Sequence, residues 1–228
     1  MSRRVNRNRQ GGGAPTRRAV MLGGLGLGMA TLMGCDQGQK WHAMDVSGST
    51  PALDFTMTRA ADGKLVTARD YRGKIVLLYF GYTYCPDVCP TTLANFAEIL
   101  ERLGPDAERI RMLFVTVDPN RDTPKALAEY VQNFAPQIDG LRGTPDQLAA
   151  LARRYRVVYS VEPETKDHPY EVTHSSAIYV FDGSGAARLL VASLSSTTPD
   201  IVGTAADLKR LADNDASPSF LARLWQMV

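Results

Sequence analysis

Two cysteines four positions apart, Cys85 and Cys89, sit in Gly81-Tyr82-Thr83-Tyr84-Cys85-Pro86-Asp87-Val88-Cys89-Pro90, and no other cysteine follows residue 35. A thiol pair at that spacing supports three chemistries. As a structural disulfide it closes a loop of about five residues, which stabilises by only about 2 kcal/mol in the chain-entropy model. As a thiol–disulfide exchanger it departs from Cys-x-x-Cys by one extra residue. Side chains four apart on a helix have Cβ atoms about 5–6 Å apart, wider than the roughly 3.5–4.5 Å of a disulfide. A bridge therefore requires Cys85 to lie in the loop before a helix. As a metal site the pair presents two thiolates to one side of the chain. Soft sulfur favours Cu(I), an added imidazole suits Cu(II), and zinc with two cysteines and one histidine is also chemically allowed.

A metal site needs a third donor, and the chain has three histidines, His42, His168 and His174. His42 falls in a polar N-terminal stretch and reads as solvated. His168 stands in the polar loop Lys166-Asp167-His168-Pro169 and reads as a bystander. His174 immediately precedes Ser175-Ser176-Ala177-Ile178-Tyr179-Val180-Phe181, the start of an apolar strand. The carboxylates of Asp87 and Asp118 read as ordinary loop or cap groups rather than ligands. Four methionines follow the leader, Met44, Met57, Met112 and Met227, and their dispersal excludes a Met-rich copper store. A peroxidase reading is weak, because Tyr82-Thr83-Tyr84-Cys85 lacks the Thr-x-x-Cys spacing, although Thr92 and Arg121 are available for such roles.

The elements that must position these donors are legible in the hydrophobic pattern. Residues 54–58 and 64–67 flank Asp62-Gly63, a hairpin signal. Residues 75–80 are a continuous apolar run, consistent with a strand buried on both faces. The cysteine segment leaves the carboxyl end of that strand, where crevices form in open α/β sheets. It then enters a helix over about 91–103, whose first amides favour a thiolate. A second buried strand spans about 109–117. Thr123-Pro124 opens a helix to about 134, and Thr144-Pro145 another to about 155. Strands follow at about 156–161, 177–181 and 188–192, and Thr198-Pro199 starts a helix to about 211. This order predicts an α/β, thioredoxin-like three-layer domain with a central mixed sheet and an N-terminal β-hairpin. In such folds the loop before the strand at 177–181 faces the cysteine pair.

The formal charge of +2 conceals a split. Residues 1–34 hold six arginines and no acid, and removing them leaves 20 basic and 24 acidic residues, a net charge of −4. The folded part offers no basic cluster, which excludes a nucleic-acid partner. Residues 19–34 are uncharged but only 16 long and glycine-broken, too short for a hydrocarbon core of about 30 Å. A basic start and a short apolar run read as an export signal over 1–34. Thr16-Arg17-Arg18-Ala19-Val20-Met21 looks like a twin-arginine motif, with the general export route as the alternative. Leu32-Met33-Gly34-Cys35 resembles a bacterial lipobox, which makes Cys35 the lipid attachment point; Asp36 directs the reading to the inner membrane. Residues 35–50 read as a tether, 51–213 as the domain and 214–228 as a C-terminal tail.

The segment 81–90, together with Gly73-Lys74, Val117-Asp118-Pro119-Asn120-Arg121-Asp122-Thr123-Pro124 and Thr173-His174-Ser175-Ser176, resembles the Sco/SenC family of copper proteins. The likeness runs from about Phe55 to about Leu211. It implies one copper, as Cu(I) or Cu(II), bound through Cys85, Cys89 and His174. It also implies a metallochaperone serving the CuA site of cytochrome c oxidase subunit II, by copper delivery or by reduction of the oxidase cysteines. Other periplasmic copper chaperones or thiol reductants would be further partners, and the lipid anchor would hold the protein to the periplasmic side of the membrane. Two features depart from the commonest family pattern. Thr173 replaces an aspartate that often precedes the histidine, which opens the question of what supports the His174 ring, and a lipid replaces a transmembrane helix.

Overall fold

A computed structural model describes residues 40–167, 170–192 and 194–215. The strands are β1 (Met44–Asp45), β2 (Thr56–Arg59), β3 (Leu65–Thr67), β4 (Ile75–Gly81), β5 (Ile110–Thr116), β6 (Ile138–Arg142), β7 (Tyr159–Glu162), β8 (Glu171–His174), β9 (Ile178–Phe181) and β10 (Ala187–Val191). The helices are α1 (Val88–Leu103), α2 (Pro124–Gln132), α3 (Pro145–Arg154) and α4 (Ile201–Asp215). Eight strands form one mixed sheet in the order β1-β10-β9-β4-β5-β6-β2-β3, while β7 and β8 pair as a separate hairpin. β4, β5 and β6 run parallel, and β9 lies antiparallel to β4.

The apolar run at 75–80 becomes β4, and all seven of its residues are buried. Alternation sends Ile75, Leu77 and Tyr79 to one face, where they pack with residues of α1, α2 and α4. Val76, Leu78 and Phe80 face the other side and pack with Leu148, Leu151 and Ala152 of α3. The result is the expected three-layer arrangement. Thr123 and Thr144 cap their helices, accepting from the amides of Ala126 and Gln147 at 3.2 Å each. The first hairpin pairs Thr56 with Thr67 and Thr58 with Leu65, with Gly63 at positive φ in its turn.

The structure corrects several expected boundaries. α1 begins at Val88 rather than about 91, so Cys89 lies in its first turn. α4 begins at Ile201, because Asp200 rather than Thr198 supplies the cap, accepting from the Gly203 amide at 2.8 Å. Its end at Asp215 enters the stretch expected as a tail. There the buried Asp215 carboxylate accepts from the Gly183 amide at 2.5 Å, which fastens the helix end to the turn after β9. Three strands have no counterpart in the sequence pattern: β1, which falls in the expected tether, β6 and β8. β6 contains Asp139 and Gly140, which weaken its pattern, and Gly140 is needed because a Cβ there would come 2.7 Å from Leu127. β8 is short and alternates polar residues.

The expected tether extends too far. Met44–Asp45 pairs with β10, Val46 is buried, and Trp41 and Ala43 pack against the core. The buried Asp207 carboxylate of α4 accepts from the amides of His42 at 3.2 Å and Ala43 at 2.8 Å. The leader with Cys35, the residue His168 and the end of the tail with Met227 lie outside the described residues. Among the described residues no helix is long and apolar enough to cross a membrane.

Candidate metal centre

β4 ends at Gly81, and the chain turns through Tyr82 to Asp87 before entering α1. The Cys85 amide donates to the Tyr82 carbonyl at 3.3 Å, which folds the loop back over the strand end. Cys85 therefore sits in the loop, half-buried, while Cys89 is fully buried in the first turn of the helix. Both are free thiols. The Cys89 amide donates to Cys85 Sγ at 3.4 Å, so a helix-start N–H points at the outer sulfur.

His174 comes from the far end of the chain. The β7–β8 hairpin carries it, with Tyr159 opposite His174 in register. Its Nε2 lies 3.3 Å from Cys89 Sγ. The Cys85, Cys89 and His174 donor atoms all fall within 4.8 Å of one another. His174 Nδ1 faces the Ser175 carbonyl at 3.0 Å. A carbonyl can only accept, so Nδ1 carries the proton and Nε2 keeps its lone pair toward the sulfurs. This main-chain oxygen is the support whose identity Thr173 left open. Thr173 itself turns away and pairs with Ser160 Oγ at 2.8 Å.

Tyrosines wall the site. The Tyr79 hydroxyl approaches Cys89 Sγ at 3.6 Å from beneath. The Tyr82 ring stands edge-on to the His174 ring, centroids 5.8 Å apart, and its hydroxyl donates to the Val172 carbonyl in β8 at 3.3 Å. Gly81 is required by close approach, since a Cβ there would lie 2.7 Å from Cys89 Sγ and from the Phe114 ring. Outside the sulfurs a cleft of about 360 Å³ opens between Pro86, Asp87 and Val88 on one side and Val172 to His174 on the other.

The two thiols differ in acidity. Cys85 is held well below the ordinary thiol range, first by a hydrogen bond from the Cys89 thiol and also by the Asp87 and Cys89 amides, against the cost of burial. Cys89 is pushed up, first by serving as that donor and then by burial. The outer sulfur is thus the anion and the inner one carries the shared proton. Metal binding would displace it.

The other acids take structural roles. Asp87 stands at the start of α1 without capping it. Asp118 is buried and engaged by Arg121 and by the Tyr170 hydroxyl at 2.8 Å. The Arg121 guanidinium stacks on Tyr170, 3.9 Å from the ring centroid, and also lies over Tyr84 and Tyr82. The residue the sequence reading passed over is Asp122. It is fully buried and accepts from the Thr83 amide at 3.0 Å, Thr83 Oγ1 at 2.6 Å and Thr116 Oγ1 at 2.5 Å. It ties the cysteine loop to the end of β5. Tyr79 was likewise hidden inside an apolar run. The usable signal is that a buried tyrosine hydroxyl needs a partner.

Fold and site together define a thioredoxin-like protein with a Cys-Cys-His cluster at the carboxyl end of a central strand. The chain belongs to the SCO1/SenC family, whose model matches residues 44–212. That match starts earlier than the likeness read from the sequence and takes in β1. Among relatives, the mouse "Protein SCO2 homolog, mitochondrial" is 38% identical over 187 residues, 78% of this chain and 72% of that protein. The bovine "Protein SCO2 homolog, mitochondrial" is 45% identical over 125 residues, 54% of this chain and 47% of that protein, so the matched stretch spans about half its length. Two solved structures are also similar. ScoI of Bradyrhizobium japonicum with copper bound is 39% identical, covers 70% of this chain and 98% of that one, and has a TM-score of 0.61. Yeast Sco1 with copper bound is 29% identical, covers 74% and 91%, and has a TM-score of 0.62.

Proposed function

We propose that this protein is a copper metallochaperone that holds one Cu(I) or Cu(II) through Cys85, Cys89 and His174 Nε2 and supports assembly of the CuA centre of cytochrome c oxidase subunit II. The single observation that carries the reading is the convergence of two sulfurs and one lone-pair-bearing imidazole nitrogen within 4.8 Å. Two soft thiolates with an imidazole fit copper in both oxidation states. The relatives described as copper-bound support the choice of metal. This chain's residues do the rest. The Ser175 carbonyl orients the ring. Tyr79 closes the inner side at Cys89, and the cleft beside Cys85 leaves the outer side open to a partner.

Release follows from the same sulfurs being a redox couple. Oxidation of Cys85 and Cys89 to a disulfide by exchange with a partner disulfide removes both anionic donors and passes two electrons to that partner, which is left as a dithiol. Retained copper affinity after complete oxidation would contradict this coupling. On the same reading the export signal over 1–34 and lipidation at Cys35 place the domain on the periplasmic face of the inner membrane. Globomycin-sensitive processing with mass spectrometry of the mature N-terminus tests this, and a mature chain that retains the leader would refute it.

A second reading, reduction of the oxidase cysteines, is favoured by the half-buried Cys85 lining the cleft with the buried Cys89 behind it, Cys85 being the more acidic of the two. The Cys85 thiolate attacks one sulfur of a partner disulfide and expels the other as a thiolate. Cys89 then displaces the first, leaving Cys85–Cys89 oxidised and the partner as a dithiol. The experiment that tests the main reading is anaerobic copper loading of the full chain beside Cys85→Ala, Cys89→Ala and His174→Ala. Wild type is expected to hold one copper tightly and each variant to bind that copper much more weakly; an unchanged affinity of this tight site in the histidine variant overturns the assignment. Offering oxidised, copper-free subunit II to the metal-free protein separates the readings. Loss of the partner disulfide without copper supports the second.

A further inference from the structure

At β1, on the edge of the sheet, His42 is held with a care that a solvated residue does not need. Its amide and that of Ala43 are both accepted by the buried Asp207. Its ring Nδ1 lies 3.2 Å from Asp200 Oδ2. The neighbouring Trp41 ring is covered by the Arg210 guanidinium, 4.2 Å from its centroid. Gly203 lies directly under the His42–Asp200 pair, and a Cβ at that position would collide with both side chains. The backbone is therefore fixed, and the ring is oriented by its hydrogen bond to Asp200 while half of the imidazole remains open to solvent.

A carboxylate that accepts from Nδ1–H fixes the tautomer and leaves the lone pair on Nε2, the support that metal-binding histidines use. His42 lines a cleft of about 270 Å³ together with Met44, Leu190, Ser196 and Thr198. Met44 is 66% exposed, so its thioether is open to solvent. Its thioether is the only soft donor lining this cleft among the described residues.

We propose that His42 Nε2 and Met44 Sδ form a second metal site selective for Cu(I). One thioether and one neutral imidazole suit a soft, monovalent ion that accepts low coordination. Two donors fall short of the closed four-ligand shell of structural zinc, and Asp200 is already committed to the imidazole. The site carries no thiolate, so it binds more weakly than a Cys-Cys-His cluster and exchanges copper with solvent or a donor. It does not depend on the function proposed for the cysteine pair.

The test uses the full chain with Cys85→Ser and Cys89→Ser, so that only other sites contribute. Anaerobic Cu(I) is titrated in competition with acetonitrile. Retention of one Cu(I) per chain is expected, with its loss on adding either His42→Gln or Met44→Leu. Asp200→Asn is expected to weaken it about 10-fold, as for other partners that support a ligand. Met44→Leu removes the sulfur from an exposed position and leaves the fold intact, so its result stands even if His42→Gln disturbs the segment. Silver(I), titrated into protein with 13C-methyl methionine, is expected to shift the Met44 methyl resonance. Cu(I) uptake that survives Met44→Leu, an absence of uptake in the cysteine variant, or an unmoved Met44 resonance overturns the proposal.

Discussion

The molecule fixes two histidines in two ways, and the contrast shows how surroundings set what an imidazole can do. His174 gives its Nδ1–H to a neutral main-chain carbonyl and points Nε2 at a buried sulfur 3.3 Å away. His42 gives its Nδ1–H to the Asp200 carboxylate, and its half-exposed ring lines an open cleft. The first stands among tyrosine rings beside two thiols, one of them an anion. The second stands in water beside a thioether. Two sulfur donors, one of them fully buried, favour tight, redox-controlled holding. A single neutral sulfur and free access favour loose, rapid exchange.

The largest expected effect separates the two regions outright. Under the proposed function, Cys85→Ala or Cys89→Ala lowers affinity for the tightly held copper by more than the roughly 100-fold that loss of a supporting partner costs. His42→Gln leaves that affinity unchanged. Competition titration checks both, and equal losses would erase the distinction.

Next comes sterics. Gly81→Ala drives a Cβ to 2.7 Å from Cys89 Sγ and the Phe114 ring inside a packed core, which is expected to cost about 1–3 kcal/mol of stability. Gly203→Ala meets His42 and Asp200, which are exposed and can swing away, and in a helix alanine gains up to about 1 kcal/mol over glycine. Near-neutral stability is therefore expected there, with the His42–Asp200 hydrogen bond broken. Urea unfolding of both metal-free variants measures the difference, and equal destabilisation would contradict it.

Acidity supplies a third test. A thiol whose pKa is lowered in the folded state is a thiolate at pH values where an ordinary cysteine is protonated. Cys85, so lowered, is expected to react with iodoacetamide in mildly acidic buffer, well before Cys89. Peptide mapping of the metal-free protein reads the order. The smallest effect is Tyr79→Phe, which removes the hydroxyl 3.6 Å from Cys89 and is expected to cost about 0.5–1.5 kcal/mol.

What the sequence made legible follows the same division. Strong periodicity and punctuation disclosed β4, α1 and the helix starts at Thr123-Pro124 and Thr144-Pro145, because those signals are local. The cysteine pair and His174 could be nominated by residue type and by the elements beside them. β6 stayed hidden because Asp139 and Gly140 break its pattern, and tertiary pairing with β5 and β2 supplies what propensity lacks. The fastening of residues 41–46 was invisible for another reason. Asp207 and Asp200 lie more than 150 positions away on and before α4, and nothing at His42 announces them. Asp122 was hidden by its company, since in Arg121-Asp122-Thr123-Pro124 an acid looks like a helix-start residue, and only folding shows it holding Thr83.

X-ray absorption of the copper-loaded full chain tests the central claim most directly. With one equivalent of Cu(I), the spectrum is expected to show two sulfur scatterers and one imidazole nitrogen, and the imidazole contribution is expected to vanish in His174→Ala. An all-sulfur environment, or an imidazole signal unchanged by that substitution, would contradict the claim that folding brings a histidine 85 residues beyond Cys89 into the coordination of both thiols.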